Sequence, residues 1–87
     1  MTASYKLLIK RSAARELRAI SPPDLGRVIV RIRRLASDPR PPGSEKLSGQ
    51  QRYRVRQGDY RIVYAVDDES RTVTVVKIGH RREGYRA

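Results

Sequence analysis

Arg52-Tyr53-Arg54-Val55-Arg56-Gln57-Gly58-Asp59-Tyr60-Arg61-Ile62-Val63-Tyr64, the stretch 52–64, decides the fold. Its first half alternates with a period of two, arginines pointing one way and Tyr53 and Val55 the other, as in a strand with one buried face. Gly58-Asp59 reads as a two-residue hairpin turn with glycine at its first position. That turn sets a register: Gln57 opposite Tyr60, Arg56 opposite Arg61, Val55 opposite Ile62, Arg54 opposite Val63 and Tyr53 opposite Tyr64. The apolar pairs then share one face of the sheet, and Arg54, Arg56 and Arg61 cluster on the other with Arg52 beside them.

Working outward, Asp67-Asp68-Glu69-Ser70 makes the next turn. Thr72–Gly79, TVTVVKIG, is apolar enough on both sides to be a central strand. Upstream, Pro39, Pro41, Pro42 and Gly43 end a helix and open a loop of about a dozen residues leading to Arg52. That helix begins at Ser21, read as N-cap, with Pro22 in the first turn and Asp24 three residues on, in the pattern of a capping box. Leu25, Val28, Ile29, Ile32, Leu35 and Ala36 recur at helical spacing, with Arg27, Arg31 and Arg34 on the outer face. Before it lie a strand at 5–9 and a helix over 12–20 whose Ala13, Leu17 and Ile20 share a face. The sequence therefore predicts one α+β domain over 1–87: an N-terminal strand, a two-helix hairpin and an antiparallel three-strand meander, with the helices packed on one face of the sheet.

Twenty Lys and Arg against nine Asp and Glu give a net charge of +11, spread as 11 cations and 4 acids over 1–50 and 9 and 5 over 51–87. Sixteen of the cations are Arg, whose planar fork matches phosphate oxygens, so the expected partner is nucleic acid and not a membrane. The absence of cysteine excludes disulfides and thiolate chemistry, and with a lone histidine it argues against a bound metal. No apolar run approaches a membrane span, and the N-terminus lacks the apolar region and cleavage site of a signal peptide; a cytoplasmic protein is expected.

Arg56 directly opposite Arg61 is a destabilising pair unless an anion lies between them. The end of the last strand brings Lys77, His80, Arg81, Arg82 and Tyr85 toward the same neighbourhood. Such a set suits cleavage of RNA by its own 2′-hydroxyl, with guanidiniums stabilising the phosphate charge and His80 or Tyr85 handling the proton.

From Glu45 to Tyr85 the chain resembles the C-terminal half of the RelE family of bacterial type II toxins, and the helical hairpin before it is similar in order, so the resemblance covers essentially the whole chain. The likeness rests on a Leu-x-Gly lead-in at Leu47-Ser48-Gly49, the basic alternation at Arg54 and Arg56, GDYRIVY around Arg61, and GHRREGY ending in Tyr85. It implies a metal- and cofactor-independent mRNA interferase that cuts mRNA in the ribosomal A site, and a cognate antitoxin as partner. It also implies roles: Arg54 and Arg56 on the scissile phosphate, Arg61 on the transition state, Arg81 as general acid or phosphate ligand, and Tyr85 orienting the nucleotide or assisting proton transfer. Arg52, Lys77 and Arg82 are further phosphate-binding candidates. Relatives often carry Lys where Arg54 stands, and Arg does not give up its proton, so the base is expected to be His80 or Tyr85. A further C-terminal helix found in some relatives is not expected after Ala87. The alternatives are a ParE-like toxin acting on DNA gyrase and a non-catalytic basic RNA-binding module.

Overall fold

Gly58 takes a positive φ of 61° while Asp59 does not, so the turn has glycine where only glycine is unstrained. Around it the computed structural model, which describes residues 4–47 and 51–80, builds a sheet with two helices against one face. In chain order the elements are β1 (Lys6–Ile9), α1 (Arg11–Arg18), α2 (Pro22–Ser37), β2 (Glu45–Leu47), β3 (Arg52–Gln57), β4 (Tyr60–Asp67) and β5 (Thr72–His80). The expected α+β class holds, and all five pairs of the expected hairpin register are present, from Gln57–Tyr60 to Tyr53–Tyr64.

The meander is the centre of a larger sheet. Its order is β1-β5-β4-β3-β2, with β1 parallel to β5 and every other neighbour antiparallel. The expected N-terminal strand joins the meander, and β2 is a strand that the sequence did not announce. β1 closes one edge, and β2 lies within the stretch read as loop. Three residues are too few to write an alternation, and that is why β2 escaped the sequence reading.

The apparent two-sided apolarity of β5 has a specific cause. Val63 pairs with Lys77 and Tyr64 with Val75, so Val76 is an extra residue without a cross-strand partner. This bulge resets the pleat, and Val73 and Val75 before it and Ile78 after it all reach the same core.

The core joins Ala13, Ile20, Val28, Ile32 and Leu35 of the helical hairpin to Tyr53, Val55, Ile62, Tyr64, Val66, Val73, Val75 and Ile78 of the sheet. Leu17 and Leu25 pack at its margin. Two details of α2 differ from the sequence reading. Ser21 is the N-cap, but its side chain makes no capping bond. Pro22 and Pro23 occupy the first helical positions and leave no N–H at the second for it to meet; the Ser21 carbonyl accepts from Leu25 N–H at 2.9 Å, the first bond of the helix. Arg31, expected on the outer face with Arg27 and Arg34, is half-buried, on the side of the helix that shares a cleft with Gln57 of β3.

A polar staple ties the loop after α2 to the sheet. Arg40 donates to Asp68 at 2.8 Å and to the Tyr53 hydroxyl at 2.9 Å, and Tyr5 donates to Asp68 at 2.6 Å. The Tyr64 hydroxyl donates to the Pro39 carbonyl at 2.7 Å, and burial pushes its pKa up to about 12. Hydrogen bonds from Arg40 and then Tyr5 hold the Asp68 carboxyl below its ordinary range. A group whose pKa falls on folding contributes stability above its unfolded value and loses it as pH falls through the folded one. Asp68→Asn is therefore expected to melt below the wild type at neutral pH, with the difference closing below about pH 4; thermal melts across pH 7 to 3 measure it.

Candidate active site

Strands β3 and β4 carry the arginine face. Successive side chains alternate across the pleat, so Tyr53, Val55, Ile62 and Tyr64 are buried on the helix side while Arg54, Arg56 and Arg61 stand on the other. Arg56 and Arg61 are directly opposite across the hairpin, with Arg54 one step along opposite Val63. Desolvation first, then repulsion from Arg54 and Arg56, lowers the pKa of Arg61. The three arginines therefore share one face, as the sequence predicted, with Arg54 and Arg56 acting on Arg61. Arg52 is on the same face, exposed, opposite Ala65 and Leu47.

An acid that the sequence reading missed enters this face from β2. Glu45 is opposite Arg54, and its Oε1 accepts from both Nε, at 3.1 Å, and an Nη of that arginine. Those hydrogen bonds, then the charge of Arg54 and more weakly of Arg61 and Arg56, keep the Glu45 carboxyl below its usual range. Glu45 orients Arg54 and also occupies it, so a phosphate arriving there must share or displace the carboxylate. The signal was in the sequence, as an acid one residue before Lys46-Leu47. Only knowledge of β2 would have paired it.

The β5 residues are distributed differently from the sequence expectation. Gly79 pairs with Arg61, whereas His80 pairs with Tyr60, and their rings meet edge to face with centroids 4.8 Å apart. Tyr60 packs against the core, so His80 belongs to the other pleat face from Arg61, at the end of the sheet. Lys77 reaches over the edge of β5 to Glu16 at 3.4 Å. Glu16 also accepts from Ile78 N–H at 2.7 Å, covering the part of the β5 edge that β1 leaves open after Ile9. This second acid was likewise not singled out from sequence, where it is one more polar position on a short helix. Arg81, Arg82 and Tyr85 lie outside the described residues, as do Ser48 and Gly49 of the lead-in. Among the described residues, no three His, Asp or Glu converge as a metal site would require, and no helix is long and apolar enough to cross a membrane.

This mixed sheet, with two helices on one face and arginines on the other, has counterparts among known proteins. The family model for the ParE toxin of type II toxin–antitoxin systems, parDE, matches residues 7–85. The chain belongs to the RelE/ParE superfamily of type II toxins. Toxin RelG of Mycobacterium tuberculosis is 41% identical over 34 residues, a match that spans 39% of this chain and 39% of RelG. Among solved structures, a chain of the M. tuberculosis toxin–antitoxin complex RelBE2 superposes with a TM-score of 0.81 at 26% identity, covering 95% of this chain and 98% of that one. The isolated Escherichia coli RelE toxin superposes with a TM-score of 0.78 at 26% identity, over 88% of this chain and 84% of that one. A RelE/ParE toxin was the sequence expectation, and the family and the fold agree with it.

Proposed function

We propose that this toxin is a ribosome-dependent mRNA interferase held in check by a cognate antitoxin. The observation that supports the reading is the opposition of Arg56 and Arg61 beside Arg54, three guanidiniums on one face with a single carboxylate, Glu45, described among them, an arrangement that favours binding a further anion. In this proposal Arg54 and Arg56 hold the scissile phosphate and Arg61 stabilises the charge that grows on it as the 2′-oxygen attacks. The products are a 2′,3′-cyclic phosphate and a 5′-hydroxyl. Arg81 adds positive charge at the leaving 5′-oxygen, which takes its proton from water. Tyr85, once ionised to the phenolate, takes the 2′ proton and becomes the neutral phenol, in preference to His80, which the pleat turns toward Tyr60. A site of this kind holds phosphate firmly but moves protons weakly, so the ribosome must present the mRNA already bent for in-line attack. The RelBE2 resemblance supports the antitoxin partner, since that structure is a toxin–antitoxin complex.

A second reading, inhibition of DNA gyrase, is favoured by the ParE description of the matching family model. It gives the arginine cluster no phosphate to hold. Incorporation of labelled methionine and labelled thymidine after induction separates the two. Methionine incorporation is expected to fall first, and an earlier fall in thymidine would give the gyrase reading its place.

A further inference from the structure

On the helix side of the molecule a cleft of about 480 Å³ lies between α2 and the tip of the β3–β4 hairpin, lined by Pro23, Gly26, Arg27, Val30, Arg31 and Arg34 with Gln57 opposite. We propose that this cleft is a second anion site, taking the phosphate backbone of folded RNA.

Arg27, Arg31 and Arg34 follow at helical spacing along one face of α2, where like charges repel. Asp24 is 3.9 Å from Arg27 across an exposed gap, and Arg31 and Arg34 make no ion pair among the described residues. The Nε of Arg31 is buried and has no hydrogen-bond partner, a condition that folded proteins rarely leave without a reason. From Arg27 to Arg34 the helix rises about 10 Å, long enough to span more than one phosphate of a duplex strand. No aromatic ring lines the cleft, so it offers nothing for an unpaired base to stack on. That favours the backbone of folded RNA over a single strand. Its position favours a long polyanion over an acidic protein segment. Arg56 and Gln57 are consecutive residues of β3, one on the arginine face and the other in the cleft, so a strand passing round the hairpin tip meets both cationic surfaces. The inference goes beyond the nuclease reading and does not depend on it.

The test uses the full chain and a fluorescent RNA hairpin made entirely of 2′-O-methyl nucleotides, which has no 2′-hydroxyl to attack. Anisotropy is read over a salt series for the wild type, Arg27→Gln/Arg34→Gln, and Arg15→Gln/Arg18→Gln as an equal loss of exposed charge on α1. The α2 pair is expected to weaken hairpin binding about tenfold at low salt and to flatten the log–log salt slope by nearly two, at about 0.9 for each phosphate no longer neutralised. The α1 pair is expected to do much less. Equal effects from both pairs, or none from the α2 pair, would mean a merely solvated helix face and overturn the site. An equal loss on a single-stranded 2′-O-methyl oligonucleotide would overturn the assignment to folded RNA. Displacement of the hairpin by polyglutamate more readily than by duplex RNA would assign the cleft to an acidic protein segment instead.

Discussion

Single-turnover cleavage of mRNA on a ribosome with a vacant decoding site is expected to fall by about a hundredfold or more in Arg61→Ala, the usual scale for removing one oriented group that stabilises transition-state charge. Arg61 is the residue on which the other two guanidiniums act, and desolvation and their repulsion both disfavour its charge in the free protein. The charge of a dianionic transition state offsets both effects at once. The substitution should spare the fold, since Arg61 is on the face opposite the core and its loss removes a repulsion with Arg56. A melting temperature equal to or above the wild type, together with abolished cleavage, is the expected pair of results. His80→Gln is the contrast: with its ring against Tyr60 on the other pleat face, it should lose far less. A large loss in His80→Gln would return the proton to His80. Toxicity undiminished in Arg61→Ala would remove the nuclease reading.

The arginine face was legible in the sequence because two independent rules converge on it. Alternation assigns each side chain of 52–57 and 60–64 to a face, and a glycine at the first position of a two-residue turn fixes which residues are opposed. The rest depended on neighbours distant in sequence. Glu45 meets Arg54 only because β2 returns beside β3, and a three-residue strand carries no periodic signature. Glu16 caps a sheet edge 62 residues away, which no local pattern announces. The bulge at Val76 made β5 read as apolar on both faces, a correct conclusion about its interior place in the sheet reached for an incomplete reason. His80 shows the opposite failure. Closeness in sequence to the end of the last strand brought it near Arg61, but parity along the strand sets it on the other face.

Ile62→Ala is expected to cost about 2–5 kcal/mol, the range for deleting most of a fully buried isoleucine side chain and leaving a cavity. Ile62 is completely buried, opposed by Val55 on one side and Ile78 on the other. It therefore joins three strands beneath the helices, where little can collapse into the gap. For a domain of this size total stability is about 5–15 kcal/mol, and each kcal/mol moves the melting temperature by about 4–8 °C. The variant should melt more than about 10 °C below the wild type or fail to accumulate, whereas Ile62→Val should cost only about 0.5–1.5 kcal/mol. Its toxicity, if abolished, should return at lower growth temperature, which Arg61→Ala cannot do. Neighbouring residues of one strand would then separate cleanly, Arg61 acting on the phosphate and Ile62 on the fold. A melting temperature for Ile62→Ala equal to that of the wild type would mean that the hairpin register, and with it the opposition of Arg56 and Arg61, is not the one that the folded toxin uses.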